Sequence, residues 1–431
     1  MNDDVDRENG APVGKDGLGA AAPTIDIYDA LEHLASLGTA PLDGCTALGV
    51  GYEDAFDRLE RMYLEEGFAR GRSAEKFVIG PFGSGKTHFL RQLMEATRAR
   101  MCVTAEVALS KDVDFTRTLM VYTEVVRGIR APESTSTGVR ALLRSALARV
   151  RGQAPAGRIA VFTRAWIDGI GVADYPLPAF GRVVRRALDA LDSGDDADFE
   201  VACRWLEGEV ADRALAARLD VSLVQRADEN LHGRRALLSL FRFVRAAGYH
   251  GTVVTFDEAE QGLGVDRKKM NRILSMLQSQ INAIADLRDG SALIVYALTP
   301  NLADEMEGFA ALQQRVADPA PGDMGFFDGN TRAVRIDLRR RPDPNPVHEL
   351  AAIGTRLCDL LYAAYGNRLA APQEEAYAAI RQVAAVVDLN DASSSSRRTM
   401  VKATSALLLN LYDTGMLDPE MVARVAGEGA A

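Results

Sequence analysis

The sequence predicts an α/β protein: a parallel sheet, interrupted by a long helical block and followed by a second, helical unit. Ala/Leu/Arg-rich sequence with helical periodicity fills about residues 116–248, and helical sequence returns from 347 to about 417. Within the block, we expect the acidic stretch Asp192–Glu200 to be a surface loop. Short apolar segments bounded by turns predict the strands. They lie at 76–79, 102–109, 251–260, 291–300 and 331–338.

Changes of composition divide the chain into three parts. Residues 1–24 are polar and rich in Gly, Ala and Pro, and we expect a disordered tail there. Residues 25–340 form the predicted core, which opens with amphipathic helices at Ile25–Leu37 and in EDAFDRLERMYLEEGF. The prolines of RRRPDPNP then indicate a linker, because they forbid regular structure. Residues 341–431 form a C-terminal helical unit with a Ser-rich break before its last long helix.

The composition excludes several classes of protein. With 47% hydrophobic and 26% charged residues, the chain can bury a sizeable core. The 50 basic and 60 acidic residues give a formal charge of -10, which argues against attachment to nucleic acid by bulk charge but does not exclude a local basic patch. The four cysteines lie far apart, so a zinc knuckle or disulfide framework is not expected. No apolar stretch approaches the roughly 20 residues that span a bilayer, and we expect a cytoplasmic protein that avoids membranes.

A glycine-rich turn joins the first strand to the following helix. Its residues match G-x-x-x-x-G-K-[ST] at every fixed position and are Gly80, Pro81, Phe82, Gly83, Ser84, Gly85, Lys86 and Thr87. In such a loop, glycines let backbone N–H groups surround a phosphate at the positive end of the helix dipole. Lys86 would contact the β- and γ-phosphates, and the Thr87 hydroxyl would ligate Mg²⁺. The sequence therefore predicts a site for ATP and Mg²⁺, and the bland alternative is a chance Gly-rich turn. His88 follows as either a further contact or a structural residue.

An apolar strand that ends in acids supplies the expected second half of this site. The sequence Val253-Val254-Thr255-Phe256 is followed by Asp257 and Glu258. Asp257 would be the carboxylate on the metal, and Glu258 the base that orients the attacking water. The alternative is a strand that ends in two solvated acids.

With both motifs in place, the chain resembles the AAA+ P-loop ATPases. Among them it looks most like the BrxD-like ATP-binding proteins of BREX-type phage-defence loci, which are similar to initiator and helicase-loader ATPases. The resemblance covers roughly residues 51–413. It rests on the lead-in GYEDAFDRLERMYLEEG, the form FVIGPFGSGKTHFLRQL and the long helical segment before the DEAE strand. It implies a parallel AAA+ core with a large helical insertion and a C-terminal helical lid.

The resemblance also implies three further site residues. Thr299 occupies the place of a polar sensor at the end of a strand, and the alternative is a turn or N-cap threonine. Arg315 precedes the last core strand, where an arginine finger would reach a neighbouring subunit, and the alternative is a surface arginine. The last lid helix would present Arg398, or else Arg397, to the nucleotide, and the alternative is an N-cap followed by surface arginines.

The function implied is that of an ATPase whose hydrolysis is slow or depends on an activator. The resemblance implies a homo-oligomer in anti-phage defence that engages double-stranded DNA, a helicase or another defence protein. The basic segment Asp266–Arg272 would face the nucleic acid or, alternatively, form a solvated helix start. The alternative functions are a poorly hydrolysing adaptor gated by nucleotide and a signalling ATPase that does not bind DNA.

Overall fold

The computed structural model describes most of the chain. The described residues are 25–108, 116–257, 267–285, 287–308, 326–330, 332–339, 345–390 and 396–418. The predicted N-terminal tail, Glu258 and Arg315 lie outside them.

A six-stranded sheet forms the centre of the fold. Its strands are β1 (Ala74–Ile79), β2 (Cys102–Ala108), β3 (Ile129–Arg130), β4 (Gly251–Asp257), β5 (Ala292–Leu298) and β6 (Arg335–Asp337). The order across the sheet is β3-β2-β4-β5-β1-β6, and every pair is parallel except β2 with β3. The predicted α/β class with a mostly parallel sheet is confirmed. The last strand is shorter than predicted, and the two-residue edge strand β3 was not predicted.

Helices cover both faces of this sheet, which explains the continuous apolar runs of β4 and β5. On one face lie α3 (Glu53–Leu59), which continues as a π-helical segment (Glu60–Gly67), and α4 (Lys86–Ala99). Side chains alternate across the sheet, so that Val78 packs on that face and Phe77 on the other. Helix α12 (Arg267–Ala285) contributes buried leucines and isoleucines to the second face.

The helical block packs on that second face and shares its core with the sheet. Its helices are α5 (Thr118–Gly128), α6 (Val139–Gln153), α7 (Ile159–Val172), α8 (Pro178–Ser193), α9 (Asp196–Leu206), α10 (Arg213–Leu219) and α11 (Glu229–Ala246). The prediction of a surface loop at Asp192–Glu200 was wrong. Most of this stretch is helical, because the Asp195 carboxylate accepts a hydrogen bond from the Asp198 N–H at 3.0 Å and caps α9.

Four more helices form a second hydrophobic cluster. They are α1 (Ile27–Leu37), α14 (Pro346–Tyr365), α15 (Gln373–Asn390) and α16 (Ser396–Thr414). Of the two other helices, the short α2 (Cys45–Leu48) lies against α4 and adds Leu48 to this cluster, and α13 (Pro300–Gly308) follows β5. The sequence assigned α1 to the core, but its buried residues pack with those of the three C-terminal helices. None of the described helices has a segment long and apolar enough to cross a bilayer.

Candidate functional site

The glycine-rich loop, defined as Gly80–Thr87, lies between the end of β1 and the start of α4. The Gly80 N–H donates to the Leu298 carbonyl at 3.1 Å, so the loop begins at the end of the neighbouring strand β5. A Cβ at Gly80 would lie 2.3 Å from Ser84 Oγ, and Gly85 has a φ of 92° directly before α4. Both positions therefore require glycine, one for space and the other for backbone conformation.

Lys86 is held inside this loop. Its side chain is buried, and Nζ donates to the carbonyls of Gly80 at 2.8 Å and Pro81 at 3.1 Å. The ammonium group also lies 5.3 Å from the centre of the Phe82 ring. The loop thus surrounds a positive charge, as an anion site requires.

Thr87 and Asp257 meet although 170 positions separate them in the sequence. Thr87 Oγ1 donates to Asp257 Oδ2 at 2.5 Å, and Asp257 is the last residue of β4 and buried. Since β5 separates β4 from β1 in the sheet, this contact joins the first turn of α4 to a strand two places away. A hydroxyl and a carboxylate are hard oxygen donors of the kind that Mg²⁺ prefers, so the pair fits the predicted metal ligands.

Thr299 directly follows β5, beside the strand residue that accepts from Gly80. It is half-buried, and its carbonyl accepts the Ala303 N–H at 3.1 Å, which starts α13. The structure therefore places Thr299 at the same sheet edge as Asp257 and also in the N-cap position of a helix.

Arg397 joins α16 to the loop. Its Nη1 donates to the Ser84 carbonyl at 2.5 Å, and Nη2 lies 2.5 Å from Glu349 Oε1 on α14. The guanidinium also lies 5.8 Å from the centre of the Tyr52 ring, and Nη2 is 3.4 Å from the Leu338 carbonyl. Only 12% of the Arg397 side chain and 15% of the Glu349 side chain are exposed, which makes this the least exposed ion pair of the described residues.

Arg398, which the sequence favoured slightly, lies elsewhere. Its Nη2 donates to the Leu37 carbonyl at 2.8 Å, at the C-terminal end of α1. Adjacent helical residues point about 100° apart, so only one of the two arginines can face the loop. Sequence reasoning gave no role to Tyr52, although it lies in the lead-in GYEDAFDRLERMYLEEG, or to Glu349, which no motif marks.

His88 does not carry charge at neutral pH. Burial, reinforced by the positive charge of Arg91, lowers the pKa of His88 to about 4. A neutral imidazole adds no electrostatic attraction for a phosphate. The basic segment at 266–272 overlaps the start of α12, and its lysine side chains lie outside the described residues.

The fold and the site define an α/β protein in which the carboxyl ends of parallel strands bring a glycine-rich loop, a buried lysine and a buried acid together. The family model for the BREX system ATP-binding protein BrxC/D matches residues 25–424, and the chain belongs to this family. Membership implies an ATP-binding protein in BREX defence. Comparisons with curated proteins and with solved structures found no match.

Proposed function

We propose that this protein is a Mg²⁺-dependent AAA+-type ATPase whose nucleotide lies between the sheet edge and the C-terminal helices. The observation that carries the proposal is the 2.5 Å contact between Thr87 Oγ1 and Asp257 Oδ2. It pairs the last residue of the glycine-rich loop with the acid at the end of β4, as a phosphate site with a metal requires.

The loop and Lys86 bind the phosphates in this proposal. The positive end of α4 and the loop N–H groups attract the anion, and Lys86 exchanges its carbonyl partners for the β- and γ-phosphates. Thr87 and Asp257 would hold Mg²⁺, which when bound neutralises charge that develops on the phosphates. Glu258 would orient the attacking water and accept its proton.

Further residues complete the proposed chemistry. Thr299 would help to position the water from the end of β5, and Arg315 of a neighbouring subunit would stabilise charge in the transition state. Of the two lid candidates, we assign the nucleotide-facing role to Arg397, because its guanidinium already contacts the loop at Ser84. The C-terminal helices would then act as a lid whose angle to the core changes with the nucleotide.

The lid movement would act on a partner. We propose that nucleotide binding and hydrolysis regulate DNA engagement or a helicase of the same defence system. The alternative is a nucleotide-gated adaptor or signalling ATPase that hydrolyses ATP poorly and does not bind DNA. Salt-sensitive binding of duplex DNA favours the first function, and indifference to DNA favours the second.

Titration calorimetry with ATP and Mg²⁺ tests the proposed site. Lys86→Ala should weaken ATP binding by roughly 100-fold or more, because it removes a buried, charge-assisted contact to the phosphates. Lys402→Ala is the matched control, since Lys402 lies on α16 and packs beside Gly38 at the end of α1. Equal affinities for the wild type and Lys86→Ala would contradict the phosphate-loop assignment.

A further inference from the structure

Helix α7 (Ile159–Val172) is apolar on the side that faces solvent. Only Thr163, Ile167 and Ile170 are buried among its fourteen residues. The exposed fraction is 74% for Val161 and 79% for Val172. A surface helix normally carries polar residues opposite its buried face, so an apolar outer face indicates an interaction surface.

Ile159 and Ala160, in the first turn, lie on other sides of α7, but five exposed apolar residues form one stripe. At 100° per residue, they fall within about 100° of one another, directly opposite the buried residues. They are Val161, Phe162, Ala165, Gly169 and Val172. Charges beside the stripe are already neutralised within the chain: Asp168 pairs with Arg164 at 2.5 Å and with Arg185 at 2.7 Å. The stripe is therefore an apolar surface, and the charged side chains beside it are already paired within the chain.

We propose that α7 packs antiparallel against α7 of a second copy of this chain. Phe162, the largest residue of the stripe, lies in its first half, and Gly169, the smallest, lies in its second half. A two-fold axis near Ala165 sets Phe162 of each copy against Gly169 of the other. A Cβ built on Gly169 would meet nothing within 4 Å in its own chain, so this position is an open recess for the opposing ring.

The ends of the helix are also complementary in charge. Arg158 and Asp174 each lie eight positions from Trp166, near the centre of α7, so an antiparallel pair brings Arg158 of one copy toward Asp174 of the other. Arg158 is exposed, and the Asp174 side chain is 96% exposed although Arg242 contacts it at 3.0 Å. The symmetry produces this contact twice, which favours the antiparallel over the parallel orientation.

The area of the stripe is compatible with a dimer of modest affinity. Val161, Phe162 and Val172, with the exposed Ala165 and Gly169, together leave on the order of 400 Å² exposed in each copy, the size of patch that marks an interaction site. Two such patches and their borders bury about 1,000 Å², the lower end for a specific interface. The surface belongs to the helical block, and the inference does not depend on the nucleotide site.

Sedimentation velocity over a range of concentrations, without nucleotide, tests the interface on the full chain. The wild type should dimerise, and Phe162→Glu should raise the dissociation constant at least 100-fold. Gly169→Leu should do the same by filling the recess, while it preserves the fold because leucine favours helix over glycine. Leu389→Glu is the control: Leu389 is 84% exposed on α15, and the variant should dimerise like the wild type.

A charge swap then tests the orientation. Arg158→Glu should weaken the dimer several-fold, and Arg158→Glu combined with Asp174→Arg should restore it. A wild type that remains monomeric at the highest concentration would overturn the proposal. An assembly that survives both Phe162→Glu and Gly169→Leu would overturn it equally.

Discussion

At the scale of single residues, the site depends on polar groups that the fold holds away from solvent. Asp257 is buried at the end of β4, and its carboxylate accepts the Thr87 hydroxyl. A buried carboxylate is stable where a partner compensates its lost hydration, and a cation would compensate it further. The proposed role of Asp257 depends on metal, whereas that of Lys86 does not. Measuring ATP binding with and without metal therefore distinguishes the two roles.

Asp257→Asn should weaken ATP binding about 10-fold in Mg²⁺ and change it little in EDTA. Asparagine keeps the hydrogen bond from Thr87 but loses the negative charge that attracts the cation. Calorimetry with and without EDTA measures both values. An equal loss in the two buffers would assign Asp257 a structural role instead of metal binding.

Glu75, on β1, is a second buried carboxyl group and lies outside the nucleotide site. Among the described residues, neither of its carboxyl oxygens has a hydrogen-bond partner. The side chain lines a cavity of about 110 Å³ together with Phe77, Ile281 and Ile284. Burial raises the pKa of Glu75 to about 8, so at neutral pH the folded protein keeps this group protonated.

This raised pKa makes the stability of the wild type depend on pH. Above its ordinary pKa of 4.5, Glu75 ionises in the unfolded chain but not in the folded protein. Its contribution to stability is therefore complete below pH 4.5 and is lost as the pH rises toward 8. Glu75→Gln should raise the free energy of unfolding relative to the wild type by about 1–3 kcal/mol at pH 8, and by less at pH 5. Urea unfolding at both pH values measures this, with the exposed Glu66→Gln as control.

At the scale of elements, Arg397 is a contact between the C-terminal helices and the glycine-rich loop. It connects α16 with Ser84 of the loop, with the end of β6 at Leu338 and with Glu349 of α14. Because so little of this ion pair is exposed, its Coulomb energy is screened less by water than that of the surface pairs. A nucleotide phosphate that reaches Arg397 would compete with Glu349 for the guanidinium.

Arg397→Gln should weaken ATP binding about 10-fold more than ADP binding, since only ATP carries the γ-phosphate that the guanidinium would reach. Arg398→Gln is the matched control on the same helix, because Arg398 contacts the end of α1. It should change the two affinities equally or not at all. The ratio of ATP to ADP affinity separates nucleotide contact from a loss of packing, and an unchanged ratio in Arg397→Gln would exclude the assigned role.

At the scale of the whole molecule, two hydrophobic clusters meet at the proposed nucleotide site. One contains a face of the sheet with α3 and α4, and the other contains α1 with the C-terminal helices. The Arg397 contacts cross between them at the carboxyl edge of the sheet. We propose that a change of nucleotide at this edge alters the angle between the two clusters and that this movement acts on a partner.

Steady-state turnover with and without duplex DNA tests this coupling. Wild-type turnover should rise on addition of DNA, and Glu258→Gln should lower it about 100-fold or more while it still binds ATP, because the attacking water would lose its proposed base. Turnover that is indifferent to DNA would favour the alternative signalling or adaptor function. Unchanged turnover in Glu258→Gln would remove Glu258 from the proposed role.

The sequence by itself determined the features that depend on neighbouring residues in the chain. The class of fold follows from apolar strands that are buried on both faces, and the glycine-rich loop is one continuous segment whose residue types predict a phosphate site. The same reasoning was wrong at Asp192–Glu200, where α8 continues to Ser193 and Asp195 caps the start of α9. Charge alone did not distinguish a loop from a capped helix.

Only the tertiary structure decided the contacts between distant segments. It placed α1 with the C-terminal helices, selected Arg397 instead of Arg398 for the loop and brought in Glu349. Arg397 and Ser84 are 313 positions apart, and the choice between adjacent arginines depends on how α16 is rotated by the packing of its buried face. That rotation is set by side-chain packing across the whole cluster, which local sequence patterns do not encode.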